Sequence, residues 1–347
     1  MSEKMKAAVM NGRQDVSIET RDIPGIRDSE VLIRIQSVGI CGSDLHYYAE
    51  GKIGEAEVCT PFVLGHEAAG IIEATGKDVG GLAVGDLVAV EAGIPCGECE
   101  YCRQGSYNIC PDMQFLATPP VDGVFAEYAA YQAKWVFKLP ESMTAAEGAM
   151  IEPLAVGMHA AEIGEATLGD TAFIFGCGCI GLVTLLALKS RGVSEIYMCD
   201  MIPGRIQKAY ELGATKVFHA VEDNIEEELK EITKGRGVDS VYEMTGAKSS
   251  LQMTVGVVKK GGIIVLVGLG AESVIPFDFG RLIWNEVQIR TCFRYKNLYP
   301  KAIRAIDSGR IDVSCVISDV VRLDEVPAAL KYHMENKAAV IKMIVEM

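Results

Sequence analysis

Three short stretches carry the residues best able to do chemistry: Gly39-Ile40-Cys41-Gly42-Ser43-Asp44-Leu45-His46, Gly65-His66-Glu67 and Ile151-Glu152-Pro153. Cys41, His66, Glu67 and Glu152 offer one thiolate, one imidazole and two carboxylates. Such a set can hold a zinc ion and leave one coordination position open for water or substrate, which marks a catalytic rather than a structural metal. On the local sequence alone, Glu152 reads equally well as a solvated glutamate near a helix kink.

A second cluster, Cys96-x2-Cys99-x2-Cys102-x7-Cys110, puts four thiolates among glycines and polar turn residues, as closed tetrahedral sulfur coordination requires. Four unligated thiols so crowded would oxidise. An iron–sulfur cluster is the chemical competitor, but the chain shows no second set of redox ligands. Structural zinc is therefore expected in a lobe at about residues 93–111. With four sulfur ligands it has no vacancy, so it serves stability or subunit contact.

The third signal is Gly176-Cys177-Gly178-Cys179-Ile180-Gly181, preceded by the apolar run Thr171–Phe175 and followed by a long apolar helix through Lys189. A bare G-x-G-x-x-G is common by chance; strand before and helix after make it a dinucleotide loop. Gly176 gives the tight turn, Gly178 admits the pyrophosphate and Gly181 lets helix pack on strand. The helix N-terminus then offers free N–H groups to the phosphates. Asp200 closes the next apolar run, where a carboxylate would accept the adenosine ribose hydroxyls and favour NAD over NADP. Arg205 complicates that choice, since a nearby guanidinium can accommodate a 2′-phosphate.

These residues need elements to hold them. Met5–Met10, Val16–Glu19 and Glu30–Val38, the last with Val31, Ile33 and Ile35 alternating, read as antiparallel strands. Gly39 and Gly42 put Cys41 on a turn, and joint ligation by adjacent His66 and Glu67 needs a bend or helix start. Thr144–Ala161 reads as a helix broken at Glu152-Pro153, because proline disfavours the helical conformation of its predecessor. From Thr171 strands and helices alternate, with the buried parallel strand Gly262–Gly268, as in a doubly wound sheet. The acidic run Glu222–Glu231 is expected to be the wet face of its helix. The last strand, Val340–Val345, is expected to complete the first domain.

The chain has 347 residues, more than one core usually holds, so two domains are expected. With 33 Lys plus Arg against 47 Asp plus Glu, the net charge of −14 repels phosphate backbones and anionic membranes, and nucleic acid is excluded as a partner. No apolar run is long enough and free of Gly and charge to span a bilayer. The odd count of 11 cysteines, in metal-like spacings and without a signal peptide, points to a reducing cytoplasm.

The order of Cys41-x-Ser43, Gly65-His66-Glu67, the four-cysteine lobe, Glu152-Pro153 and the glycine loop resembles the zinc-dependent medium-chain dehydrogenases along essentially the whole chain. Cys41 to Tyr47, Glu152-Pro153-Leu154-Ala155-Val156-Gly157 and Phe293-Arg294-Tyr295 resemble the polyol branch, the sorbitol and xylitol dehydrogenases. The resemblance implies an α/β fold in which a Rossmann domain, residues 154–292, is inserted into a β-rich GroES-like catalytic domain, residues 1–153 and 293–347. It also implies two zinc ions per subunit and a homotetramer. By likeness, Cys41, His66 and Glu67 hold the catalytic ion, with Glu152 bound directly or through water. Ser43 accepts the alcohol proton, which leaves through the nicotinamide ribose hydroxyl toward His46 or through the zinc water near Glu152, and Tyr47, Glu152, Arg294 and Tyr295 contact polyol hydroxyls. Gly176, Gly178, Ile180, Gly181, Asp200, Arg205, Val267, Leu269, Phe293 and Arg294 line the cofactor. Cys177 and Cys179 depart from the Ala and Pro more usual in this loop.

The expected activity is NAD-linked oxidation of a secondary alcohol of a sorbitol-like polyol to a ketose. Xylitol, other pentitols and phosphorylated polyols stay open as substrates. A zinc hydrolase would have no use for a dinucleotide loop, and a non-catalytic zinc module would need a basic or apolar surface. His46 also reads as a surface histidine, and Arg294 as an interface ion pair.

Overall fold

The alternation of Val31, Ile33 and Ile35 becomes the strand Glu30–Ile40, in which these three side chains and Val38 are wholly buried. In the computed structural model, which describes residues 3–270, 272, 274–336 and 338–347, this strand is central to a seven-stranded sheet. Across the sheet the order is Val136–Lys138, Leu87–Val90, Glu67–Thr75, Glu30–Ile40, Met343–Glu346 and Asp319–Arg322, while Tyr128–Gln132 pairs separately with Glu30–Ile40.

Register decides what this sheet brings together. Gly39 lies opposite Glu67, and Met343 opposite Ile40, so Lys342 stands just past the ladder at the level of Cys41. Val90 lies opposite Ala68, which brings Glu91 level with Glu67. One end of the sheet thus collects Cys41, Glu67, Glu91 and Lys342 from four strand ends. Behind them the core runs from Val9 and Ile33 through Phe125 to Leu330 and Val345.

Thr144 caps the short helix Ala145–Ala149 with a capping box shared with Glu147, which satisfies donors otherwise left free. The helix Ile151–Ile163 follows at once. The expected break at Glu152-Pro153 is displaced: it falls at Met150, and Glu152 is helical, in the first turn of the second helix. Proline is tolerated there because first-turn N–H groups have no partner within the helix.

The strands Thr171–Phe175, Glu195–Asp200, Lys216–His219, Val238–Glu243, Val258–Leu266 and Gln288–Thr291 form a second sheet, parallel throughout. Its spatial order, Lys216–His219, Glu195–Asp200, Thr171–Phe175, Val238–Glu243, Val258–Leu266, Gln288–Thr291, is that of a doubly wound Rossmann sheet. The order reverses between Thr171–Phe175 and Val238–Glu243, where such sheets open a ligand crevice. The fifth strand starts at Val258 rather than Gly262: a register shift between Val238 and Ser240 lets Val258 pair before Gly261 turns the chain. Phe173 packs on Phe175 and Phe218 with ring centroids 4.6 and 5.9 Å apart, in a core that Ile225 and Leu229 complete from the helix Ile225–Ile232. The acidic residues of that helix are exposed or half-exposed, the wet face that the run predicts, and Glu226 there pairs with Lys230 at 3.0 Å and with Arg281 at 2.5 Å.

The chain divides into two compact units: Met1–Glu152, Tyr299–Gly309 and Val313–Met347 form the first, Pro153–Leu298 and Arg310–Asp312 the second. Return to the first unit comes at Tyr299 rather than at residue 293, because Cys292 still donates its N–H to Leu266 of the parallel sheet.

Candidate catalytic metal centre and cofactor cradle

Cys41 is the N-cap of the helix Gly42–Glu50, with extended backbone. Asp44, three residues on and wholly buried, reaches back to accept a 2.9 Å hydrogen bond from the Cys41 N–H. Its other oxygen accepts one from the Gly65 N–H, also at 2.9 Å. One carboxylate therefore stitches the two donor-bearing loops together. Gly65 has φ of +90° and supplies the bend that ligation by both His66 and Glu67 needs; a Cβ there would press on the Phe125 ring at 2.7 Å. His66 Nδ1 lies 3.7 Å from Asp44, which leaves Nε2 for a metal. Burial disfavours the charged imidazole, but the Cys41 thiolate and the Asp44 carboxylate outweigh it and raise the His66 pKa well above its ordinary value.

One ligand atom from each of Cys41, His66 and Glu67 lies within 4.8 Å of the others. A thiolate, an imidazole and a carboxylate so gathered fit an open-sided zinc. Glu67 is wholly buried, and both its oxygens accept from Lys342 Nζ, at 2.7 and 2.8 Å. Lys342 also donates to the Ile40 carbonyl at 3.0 Å, and Gly39 leaves room for the carboxylate, since a Cβ there would collide with it. Glu152 lies outside this three-residue group but is 5 % exposed at the first turn of its helix. Ser43 is half-buried, His46 is exposed with Nδ1 3.9 Å from Glu50, and Tyr47 is buried with its ring edge on Phe62.

In the cysteine lobe the four sulfurs of Cys96, Cys99, Cys102 and Cys110 also lie within 4.8 Å of one another. Cys99 and Cys102 are 3.4 Å apart, and Cys96 and Cys102 3.9 Å. Thiolates about 2.3 Å from one zinc stand roughly 3.8 Å apart at the corners of a tetrahedron, so the lobe fits that ion. Backbone N–H groups of Glu98 and Cys99 draw Cys96 down to about 7, whereas desolvation lifts Cys102 to about 12.

In the second unit Gly176 turns the chain at φ +99°, Gly178 caps the helix Cys179–Ser190, and a Cβ on Gly181 would fall on the Gly176 carbonyl. Asp200 ends its strand and accepts from the N–H groups of Cys177 at 2.8 Å and Ile202 at 3.0 Å. The Arg205 guanidinium lies beside Gly178, 3.7 Å from where a Cβ would stand. Ile180 and Val267 are half-buried, and Leu269 is exposed. Opposite the loop, buried Glu243 accepts from the N–H groups of Thr245 and Gly246, both at 2.9 Å, and from the Thr245 hydroxyl. Arg294 has φ of +53°, uncommon for a residue other than glycine, with its guanidinium 4.7 Å above the half-exposed Phe293 ring; Tyr295 is buried. Asp44, Glu91, Glu243 and Lys342 were not among the residues that the sequence singled out.

A Rossmann sheet with its glycine loop, in one chain with a β-rich unit bearing an open-sided donor group and a four-sulfur lobe, defines the class as the two-unit, metal-using dehydrogenases. The Alcohol dehydrogenase GroES-like domain matches residues 27–141, and Zinc-binding dehydrogenase matches residues 179–308. Sorbitol dehydrogenase of Bacillus subtilis is 43 % identical over 343 residues, 99 % of this chain and 97 % of that protein. Human sorbitol dehydrogenase is 40 % identical over 313 residues, 89 % of this chain and 87 % of that one. The crystal structure of L-idonate 5-dehydrogenase from Escherichia coli superposes with a TM-score of 0.93 at 30 % identity, covering 100 % of this chain and 99 % of that chain. The chain belongs to the zinc-dependent medium-chain dehydrogenase family, in the branch that holds the sorbitol dehydrogenases.

Proposed function

We propose that the protein oxidises a secondary alcohol of a sorbitol-like polyol to a ketose, passing the hydride to NAD. The observation that carries this reading is the gathering of half-buried Cys41 with buried His66 and Glu67 in a chain that also holds a glycine loop ending at a helix N-terminus. Likeness to the sorbitol dehydrogenases supports the substrate class.

Cys41, His66 and Glu67 would hold the catalytic zinc, with Glu152 directly or through water, and Cys96, Cys99, Cys102 and Cys110 a structural zinc. Held there, a catalytic zinc would supply Lewis-acid polarisation that makes the alcohol hydroxyl more acidic, the effect that brings the pKa of water to about 7. Ser43 would accept the alcohol proton and pass its own on, either through the nicotinamide ribose hydroxyl toward exposed His46 or through water near Glu152. Tyr47, Glu152, Arg294 and Tyr295 orient the polyol. Gly176, Gly178, Ile180, Gly181, Arg205, Val267, Leu269 and Phe293 bind the dinucleotide, and the Asp200 carboxylate disfavours a 2′-phosphate.

Among the described residues no helix is long and apolar enough to cross a membrane. None of the eleven cysteines is paired in a disulfide, five of them are the proposed zinc ligands, and with these metal-like spacings the cytoplasm is the proposed location. The proposed assembly is a homotetramer. Exposed Phe279, Ile283, Trp284 and Ile289 flank the edge strand Gln288–Thr291, where a second copy would cover both the apolar side chains and the unpaired backbone.

The test is NADH absorbance over a panel of sorbitol, xylitol, other pentitols and phosphorylated polyols, with and without chelator. Chelator-sensitive NADH formation with at least one polyol is expected; turnover indifferent to complete metal removal overturns the reading.

A further inference from the structure

Glu91 is a buried carboxylate with no part in the donor group or the cofactor cradle. It is 2 % exposed, follows the strand Leu87–Val90, and stands level with Glu67 because Val90 pairs with Ala68. Its side chain accepts a 2.6 Å hydrogen bond from the hydroxyl of Tyr107, which lies between Cys102 and Cys110 in the cysteine lobe. Its backbone is pinned as well: the N–H donates to Trp135 at 2.9 Å, and the carbonyl accepts from the Tyr131 hydroxyl at 2.8 Å. The Tyr107 ring packs on Trp135 with centroids 5.1 Å apart.

Holding Tyr107 in place does not require an acid, since a carbonyl or an apolar contact would do so without the cost of burying a carboxyl. Burial raises Glu91 against the pull of the Tyr107 hydrogen bond, the charge of Glu152 adds to the rise, and together they bring it to about 7. Tyr131, a further titratable neighbour, has its phenol raised by burial and then by Glu91.

We propose that Glu91, directly across the ladder from Glu67, is a positioning residue for the Cys41, His66 and Glu67 group, and that Tyr107 joins the cysteine lobe to the chemistry through this one hydrogen bond. The inference rests on the zinc-dehydrogenase reading, so its test includes a signal that needs no turnover. Co2+ is exchanged into the Cys41 site of the full-length wild-type, Tyr107→Phe, Glu91→Gln and Glu91→Ala proteins and read by its visible absorption. Melting temperature, kcat and KM are measured alongside.

Tyr107→Phe is expected to shift the cobalt bands and to lower kcat roughly tenfold, as loss of an outer-shell partner does, with KM for NAD unchanged. Glu91→Gln, which still accepts from Tyr107, should keep the wild-type spectrum better than Glu91→Ala. If Tyr107→Phe and Glu91→Ala lower the melting temperature while spectrum and kcat stay put, the residue is structural and the proposal is overturned. If no polyol is oxidised by any of the proteins, the substrate reading fails and the band positions alone decide this one. A Cys41 site that takes up no cobalt overturns both.

Discussion

Lys342 Nζ stands 2.7 and 2.8 Å from the two oxygens of Glu67, with the lysine side chain 3 % and the glutamate 0 % exposed. The final strand thus contributes one cation to the donor group. Breaking a buried pair by removing one partner leaves the other charge uncompensated, which costs about 3–5 kcal/mol. Lys342→Met is expected to lose that much in urea unfolding and to lose activity with it. Lys342→Arg, which keeps the charge, should recover part of both. A Lys342→Met protein as stable as wild type would show that Glu67 does not depend on the lysine.

Gly39 lies opposite Glu67 in the ladder, and a Cβ there would land on the Glu67 carboxylate. Gly39→Ala must push that carboxylate off Lys342 or part the strands. The variant is expected to hold less than one catalytic zinc per chain and to turn over at least tenfold more slowly, in line with disturbance of metal-site partners. Metal analysis after gel filtration reads this directly; a full complement of zinc at wild-type rate would contradict it.

Asp44 binds the Cys41 and Gly65 N–H groups at once, and only a carboxylate offers an acceptor to each without placing a donor against one of them. Asp44→Asn is expected to weaken zinc by about 10–100-fold, measured by competition with a chromophoric chelator. It should also cost about 1–3 kcal/mol of stability for the N–H left unsatisfied. Unchanged zinc affinity would mean that the two loops hold their shape without the bridge.

The groupings that chemistry spells out by residue type were legible in the chain: Cys41 with His66 and Glu67, though not Glu152, the four-cysteine spacing, and the glycine loop with its flanking strand and helix. The parts set by register were not. Nothing in the run Val340–Val345 says that Lys342 pairs across the sheet with Glu67, although one charge within an apolar run must find a partner when buried. Asp44, three residues past Cys41, had a local signal, because an acid at that helix position can reach back to the cap. Glu152-Pro153 misled: the rule for residues before proline is an average, and in a first helical turn the helix geometry wins.

Away from the metal centre, Asp239 makes the second unit sensitive to acid. Its side chain, 13 % exposed, is bound by Arg236 at 2.6 Å and Lys259 at 2.5 Å, and accepts from the N–H and hydroxyl of Thr171 at 2.9 and 2.8 Å. Burial alone would raise its pKa, but the two cations and Thr171 outweigh it and hold the carboxyl well below its ordinary value. A folded pKa below the unfolded value of about 3.9 means that the contribution is complete above that value and is lost as pH falls through the folded one. Asp239→Asn is therefore expected to be about 2–3 kcal/mol less stable than wild type at neutral pH, with the gap narrowing below about pH 4. Urea unfolding of both proteins from neutral to acid pH measures it, and a gap that stays constant or widens on acidification would remove Asp239 from the account of acid stability.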